Sequence, residues 1–120
     1  MKKTILIVED DLDILFAVTT FLENEGYAVY NAENGKAALE ILKKHDLPNL
    51  ILLDMLMPVM DGWKFSSEFV PIYDSKAPII VMTAASDAAQ RAKDIHADGW
   101  IGKPFSLDEL LAMIKKYERT

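Results

Sequence analysis

The chain contains no cysteine among its 120 residues. A disulfide framework, a thiol nucleophile and a thiolate metal site are therefore excluded. Long apolar runs are missing as well, because no stretch approaches the roughly 18 apolar residues that a membrane-spanning helix needs. The N-terminus passes from Thr4 into four apolar residues and then into acids, without the longer apolar region of a secretory signal. We expect a soluble, cytoplasmic protein with no membrane partner.

An excess of positive charge is also lacking, since 13 basic residues face 19 acidic ones and the formal net charge is −6. Because nucleic-acid binding depends on Lys and Arg displacing counterions, no direct contact with DNA or RNA is expected. What the chain does have is an apolar fraction of 51%. That is enough for one hydrophobic core in a chain of this length. Residues 1–120 are interpreted as a single domain.

Five short apolar runs alternate with stretches of helical spacing. The runs lie at 5–8, 27–30, 50–53, 79–82 and 100–101. They are rich in Ile, Val and Leu and alternate little, which is typical of strands buried on both faces. Helices are predicted at 12–25, 35–44, about 62–70, about 86–95 and from Leu107 onward. This alternation predicts an α/β fold in which a parallel sheet carries helices on both faces.

Several helix ends carry recognisable signals. Gly26 is expected to stop the first helix, and Asn34 to cap the second. Ser106 and Glu109 form a capping box at the start of the last helix. Pro71 is expected to limit the third.

Polar residues follow the predicted strands at their carboxyl ends. They are Glu9, Asp10 and Asp11 after the first strand, Asp54 after the third, Thr83 after the fourth and Lys103 after the fifth. In an open parallel sheet these ends converge on the crevice where ligands bind. Each residue also has a simpler interpretation: helix-start acids, a turn former, a strand residue and a solvated lysine. The simpler interpretations do not explain why all of these polar residues fall at the same edge of the predicted sheet, where the strands end.

A cluster of this kind would suit phosphoryl chemistry. Two carboxylates about 4 Å apart repel each other by about 4 kcal/mol at an effective dielectric of 20. A divalent cation relieves that repulsion, and oxygen ligands with water suit Mg²⁺. With Mg²⁺ and an ammonium nearby, a phosphoryl group can approach a carboxylate nucleophile despite its like charge.

Four segments of the sequence match a known family. They are ILIVEDD at 5–11, LILLDMLMPVMDGW at 50–63, IIVMTA at 79–84 and GKPF at 102–105. In this order they resemble CheY-like response-regulator receiver domains of two-component signalling over nearly the whole chain. The resemblance implies a flavodoxin-like (βα)5 fold with strand order 2-1-3-4-5. It also implies a signalling phosphoacceptor that assists its own phosphorylation and dephosphorylation, and is not an enzyme in the ordinary sense.

The resemblance assigns a role to each residue of the edge. Asp54 would accept the phosphoryl group. Asp10, Asp54 and the backbone carbonyl of Leu56 would bind Mg²⁺ directly, and Glu9 would act through a metal-bound water. Thr83 would donate a hydrogen bond to the phosphoryl group, and Lys103 would pair with it. The bond before Pro104 would be cis, and Pro58 and Gly62 would shape the loop after Asp54, with Gly62 in a conformation that other residues resist.

The resemblance also implies a switch and partners. Phosphorylation would draw in Thr83 and make room for Trp100, which stands where the family more often has Tyr, Phe or His. The surface of the fourth helix, fifth strand and fifth helix would then change. A histidine kinase or a histidine phosphotransfer protein would supply the phosphoryl group, and a downstream protein or output domain would respond. Leu56 and Ala85 would influence how water reaches the site, whereas His96 is interpreted as a surface residue.

Three other interpretations are weighed against this one. A phosphatase of the haloacid dehalogenase type would need a second acid where Leu56 stands. A flavin-binding protein would need a phosphate loop where Glu9–Asp11 lie. A receiver that acts without phosphorylation remains open. Because the chain ends at Thr120 after the last predicted helix, it is expected to be either a stand-alone regulator or a receiver cut from a longer protein.

Overall fold

The structure is a computed structural model that describes residues 2–57, 59–73, 76–84 and 86–118, with only the backbone of Tyr73. Strands and helices alternate five times along the chain. The elements are β1 Thr4–Val8, α1 Leu12–Asn24, β2 Ala28–Ala32, α2 Gly35–Lys44, β3 Leu50–Asp54, α3 Gly62–Tyr73, β4 Ile79–Ala84, α4 Ala88–Asp94, β5 Gly99–Lys103 and α5 Leu107–Tyr117. None of the helices in these ranges is both long and apolar enough to cross a bilayer.

The five strands form one parallel sheet in the order β2-β1-β3-β4-β5. This order confirms the predicted fold class. In β1, β3 and β4 nearly every residue is buried, as the continuous apolar runs required. Since all strands run the same way, their carboxyl ends lie along one edge of the sheet.

A separate apolar core covers each face of the sheet. Leu6 and Val8 of β1 face a core that includes Phe65 and Phe69 of α3. Ile5 and Ile7 face the opposite core, which α1 and α5 complete. Successive residues of a strand point to opposite faces, so one short apolar run supplies both cores. The prediction of helices on both faces is confirmed.

The Asn34 and Ser106 side chains form the cap hydrogen bonds expected of them. The Asn34 side chain accepts a hydrogen bond from the Ala37 N–H, and Ser106 Oγ accepts one from the Glu109 N–H. Asp11 caps α1 by accepting from the N–H groups of Asp13 and Ile14. Gly26 follows α1 with a φ of 96°, a left-handed conformation that favours glycine.

Several predicted boundaries were wrong. Helix α3 continues through Pro71 to Tyr73, because a proline near the end of a helix removes one donor while its φ stays helical. Strand β2 lies one to two residues later than the run at 27–30, and Tyr27 precedes it as a core residue. Strand β5 is longer than its apolar run, because Gly99 and Lys103 also pair with β4. Helix α4 is shorter than expected.

Candidate functional site

The polar residues lie together at the carboxyl edge of the sheet. Glu9 directly follows β1, Asp54 is the last residue of β3, and Lys103 is the last residue of β5. Thr83 is the penultimate residue of β4, which runs between β3 and β5. The parallel registers align these ends, because Asp54 pairs with Met82 and Lys103 with Ala84. Four strands therefore deliver chemistry-bearing side chains to one place.

Three carboxylates form a tight cluster at this edge. Glu9, Asp10 and Asp54 each offer an oxygen, and these oxygens lie within 4.8 Å of one another. Glu9 is fully buried and Asp54 is 4% exposed, whereas Asp10 is exposed. An exposed acid beside two buried ones leaves the cluster open to solvent on one side.

Lys103 is the cation that faces this cluster. Its Nζ lies 2.6 Å from Oε1 of Glu9 and 3.6 Å from Oδ2 of Asp54. Burial lowers the pKa of Lys103, but the hydrogen bond and charge of Glu9 and the charge of Asp54 raise it above its ordinary value. One ammonium faces three carboxyl groups, so the cluster carries excess negative charge whenever all three are ionised. Hard oxygen donors with excess negative charge suit Mg²⁺, so the residues present fit that ion.

The same environment perturbs Asp54. Burial and the adjacent carboxylate of Glu9 raise the pKa of Asp54 to about 7. The charge of Lys103 and the Leu56 N–H, which donates to Oδ1 of Asp54 at 3.2 Å, oppose this rise. Before any cation binds, Asp54 is therefore poised between its neutral and charged forms near neutral pH.

The loop after Asp54 is held by close backbone packing. The Gly62 N–H donates to the Met55 carbonyl at 3.0 Å. A Cβ at Gly62 would lie 2.8 Å from the Met55 Cα, so no larger residue fits there without a shift. The prediction that Gly62 supplies an unusual conformation was wrong: its φ is not in the left-handed region, and the requirement is steric. Pro58, predicted to shape the same loop, lies outside the described residues, as does Ala85.

By strand register, Thr83 and Trp100 belong to the same face of the sheet. Thr83 follows Val81 by two residues, and Val81 pairs with Trp100. Thr83 is 2% exposed, while Trp100 is 51% exposed. The two residues proposed as a switch are thus close in register, one inside and one outside. The side chain of Leu56 is exposed, and the Lys103–Pro104 peptide bond is cis.

Two features were missed in the sequence. Val59, in the loop after Asp54, has a φ of 68° and a side chain that is 79% exposed. A β-branched residue is rare in this left-handed region. His96 is also left-handed, with a φ of 55°, and it follows the C-cap of α4 at a position where glycine is usual. No sequence signal marks either position, since Gly and Asn are the ordinary indicators of such turns.

The sequence matches the family model of the response regulator receiver domain over residues 5–115. This chain belongs to that family. It is therefore a receiver domain of the two-component response regulators, as its four motifs predicted.

Relatives of two lengths match this receiver domain. Sporulation initiation phosphotransferase F of Bacillus subtilis is 37% identical over 119 residues, which cover 98% of this chain and 94% of the relative. A probable transcriptional regulator, ycf27 of Porphyridium aerugineum, is 39% identical over 98% of this chain. The match covers 49% of that regulator, so the receiver domain spans about half its length.

A solved structure repeats the fold of this receiver domain. It is the response regulator TrrA of Thermotoga maritima in complex with Mg²⁺-BeF, which is 31% identical with a TM-score of 0.83. The alignment covers 96% of this chain and 98% of TrrA.

Proposed function

We propose that this receiver domain accepts a phosphoryl group on Asp54 in a Mg²⁺-dependent reaction. The observation that carries the proposal is the convergence of three carboxylates and one ammonium at the carboxyl edge of the sheet. Asp54 is the acid of that cluster that ends a strand and lies within reach of Lys103. The solved TrrA complex, which holds Mg²⁺-BeF, supports the choice of metal.

Asp10, Asp54 and the backbone carbonyl of Leu56 would hold the metal directly, and Glu9 would act through a bound water. The ion would neutralise charge on the transferring phosphoryl oxygens. Lys103 alone does not neutralise that charge fully. Exposed Asp10 leaves the ion an approach from solvent. The remaining work belongs to the protein side chains.

Asp54 acts as the nucleophile of the transfer. One of its carboxylate oxygens forms a bond to phosphorus as the bond from phosphorus to the donor histidine nitrogen breaks, and that nitrogen keeps the electron pair. Lys103 pairs with the phosphoryl oxygens and the Thr83 hydroxyl donates a hydrogen bond to them. In hydrolysis, water attacks phosphorus as the phosphorus–oxygen bond to Asp54 breaks and the Asp54 oxygen keeps the electron pair. Phosphate and a proton are released, and the carboxylate is restored.

The experiment is an intact-mass measurement after incubation with acetyl phosphate and Mg²⁺. Wild-type protein gains the mass of one phosphoryl group, and Asp54→Asn gains none. Asp61→Asn is the matched control, because Asp61 belongs to the same loop and its Oδ1 caps α3 by accepting from the Lys64 N–H. Asparagine keeps that cap oxygen, so Asp61→Asn is phosphorylated like the wild type. Phosphorylation of Asp54→Asn, or none in the wild type, refutes the assignment and favours a receiver that acts without phosphorylation.

The phosphoryl group is proposed to switch the surface of α4, β5 and α5. It adds roughly −1.5 to −2 charge beside Thr83 and Lys103. Two charge-assisted hydrogen bonds contribute about 3–6 kcal/mol together, against about 5.5 kcal/mol for a full reversal of a two-state population. The expected result is a biased ensemble in which the Thr83 loop and Trp100 move. Unchanged NMR shifts over residues 86–118 after phosphorylation would contradict this.

The proposed donor is a histidine kinase or a histidine phosphotransfer protein, and the target is a partner protein or an output domain. The Bacillus subtilis relative, matched over nearly its whole length, supports action as a separate relay protein. The longer regulators support an attached output domain. In either case this receiver domain, with a net charge of −6, would not itself bind nucleic acid. Its site of action is proposed to be the cytoplasm, without a membrane partner.

A further inference from the structure

Helix α4 buries little apolar surface of its own. Its buried residues are two alanines, Ala88 and Ala92, and the Asp87 side chain at its N-cap forms no capping hydrogen bond. A groove with a volume of about 380 Å³ lies between α3 and the end of α4. A helix of seven residues is marginal in water without tertiary contacts, and alanine side chains supply few of them. The position of α4 therefore depends on its longer side chains.

Arg91 is the long side chain of α4 that crosses to α3. Gln90 donates to Asp94 within the same helix at 2.8 Å, and Lys93 is exposed. The Arg91 Cζ instead lies 4.9 Å from the centroid of the Trp63 ring. That separation is within the range of a cation–π interaction, so the Arg91–Trp63 contact joins the two helices.

The Trp63 ring stabilises the Arg91 guanidinium more than its acidic neighbour does. One guanidinium nitrogen lies 3.4 Å from Oδ2 of Asp87, whose side chain is 50% exposed, and an ion pair of this kind contributes little. The Arg91 Nε is buried and has no hydrogen-bond partner within the described residues. A guanidinium that has lost water without gaining an oxygen partner is stabilised by the electron-rich face of an indole.

Trp63 is in turn connected to the loop after Asp54. It follows Gly62, whose N–H donates to the Met55 carbonyl at 3.0 Å, and Met55 directly follows Asp54. The Trp63 side chain is half-buried and packs against the core that α3 shares with the sheet. Because Trp63 is fixed on both of these sides, it is a firm support for Arg91.

We propose that the Arg91–Trp63 contact holds α4 in its observed position, so that movement of α4 in the proposed switch must break it. This rests on the proposed function and adds a connection from the loop after Asp54 to α4, separate from Thr83 and Trp100. A contact that is lost on switching opposes the switch. Its removal lowers the free energy needed to reach the switched state.

The first test measures amide hydrogen exchange in α4 without metal or phosphodonor. Arg91→Met keeps a long side chain but removes the cation, and Trp63→Leu removes the aromatic ring. We expect each to raise the exchange rates of the α4 amides about three- to tenfold, the factor that one partly buried cation–π contact represents. The double variant should exchange no faster than the faster single variant, because both substitutions remove the same contact.

Two further variants are the controls for this test. Lys93→Met removes an exposed cation from the same helix, and Lys, Arg and Met have similar helix propensities. Asp87→Asn removes the charge that lies 3.4 Å from Arg91. Each should change the exchange rates by less than about twofold. An effect of either control as large as that of Arg91→Met, or additive effects in the double variant, overturns the proposal.

A second measurement uses the wild type and so does not depend on how a variant folds. Protons that lie over the face of an aromatic ring resonate upfield. The NMR signals of the Arg91 δ-protons are therefore expected upfield of their positions in the urea-unfolded chain. Unshifted signals contradict the contact with Trp63.

The third test addresses the opposition to the switch. Beryllofluoride with Mg²⁺ serves as the phosphoryl stand-in. We expect Arg91→Met to bind it about two- to tenfold more tightly than the wild type, because α4 no longer has to leave Trp63, and Lys93→Met to bind it like the wild type. Equal or weaker binding by Arg91→Met refutes the opposition. Failure of the proposed function is distinct, because the wild type would then gain no phosphoryl mass while the exchange differences persisted.

Discussion

The two ends of the sheet differ in how fully their carboxylates are neutralised. At the carboxyl edge, three carboxylates share one ammonium, and the pKa of Asp54 rises to about 7. At the amino edge, Glu118 lies between the Lys3 ammonium at 2.8 Å and the Tyr27 hydroxyl, which donates to it at 2.6 Å. Burial raises the pKa of Glu118, but the hydrogen bonds from Lys3 and Tyr27 lower it below its ordinary value overall.

The two ends also differ in the backbone conformation of their loops. At the amino edge the Thr4 N–H donates to the Asn49 side chain at 2.7 Å, and the Ile79 N–H donates to Asp98 at 2.9 Å. Side chains there complete the ends of the strands. At the carboxyl edge the Leu56 N–H donates to the Asp54 side chain in the same way, but the loop after Asp54 also carries left-handed Val59, a non-glycine residue. The amino edge is thus neutralised, whereas the carboxyl edge retains excess negative charge and one strained backbone position.

The largest effect on stability is expected from removing one acid at each end. Glu118→Gln weakens the charge-assisted contacts with Lys3 and Tyr27 and lowers the free energy of unfolding by about 1–2 kcal/mol, since these groups are partly exposed. Asp54→Asn removes a buried like charge and raises that free energy by about 1 kcal/mol without metal. Urea unfolding measures both. Changes of the same sign would remove the contrast.

The pH dependence should differ in sign between the ends. The folded-state pKa of Asp54 is raised, so folded protein holds a proton that unfolded chain releases above its ordinary pKa of 3.8. Its contribution therefore falls as the pH rises from about 4 to about 7. The folded-state pKa of Glu118 is lowered, so its contribution is present above its ordinary pKa of 4.5 and lost as the pH falls below that value.

Metal-free unfolding followed from about pH 2 to pH 8 checks this difference. Relative to the wild type, Asp54→Asn should gain stability toward neutral pH, and Glu118→Gln should lose less stability toward acid pH. A stability difference between Asp54→Asn and the wild type that does not vary with pH would show that Asp54 titrates normally in the folded state.

The smallest effects concern two of the left-handed positions, Val59 and Gly26. Val59→Gly should raise the free energy of unfolding by about 0.5–1 kcal/mol, because glycine adopts the observed φ without a steric penalty. Gly26→Ala at the amino edge should lower it by about 1 kcal/mol. A Cβ at Gly26 would meet no atom within 4 Å, so its effect is purely conformational. Denaturant midpoints of the two variants give both values, and a loss on Val59→Gly would mean that the loop is not strained.

Much of the fold followed from the sequence because its signals are local. Continuous apolar runs identified the strands, and Asn34, Ser106 and Gly26 marked helix ends through bonds to their own neighbours. The continuation of helix α3 through Pro71 could not be predicted from the sequence. Packing of Phe65 and Phe69 in the core outweighs the one backbone hydrogen-bond donor that proline lacks. Propensity alone does not include that packing.

The meeting of the site residues was predictable once a parallel sheet was assumed. Glu9, Asp54 and Lys103 follow strands, and parallel strands end together. Their distances were not predictable, because whether Lys103 contacts Glu9 or Asp54 depends on side-chain reach across two strands. The conformation of Val59 was equally hidden, since tertiary contacts impose it against local preference.

Thermal unfolding with and without Mg²⁺ tests most directly whether the acids at the carboxyl edge lack a neutralising cation. In the wild type near neutral pH, Mg²⁺ at about 100 times its Kd should stabilise the fold by about 2.7 kcal/mol. Glu118→Gln should show the same gain from Mg²⁺, and Asp54→Asn should show little of it. An equal gain in Asp54→Asn, or none in the wild type, would contradict the assignment of the unmatched charge to this cluster.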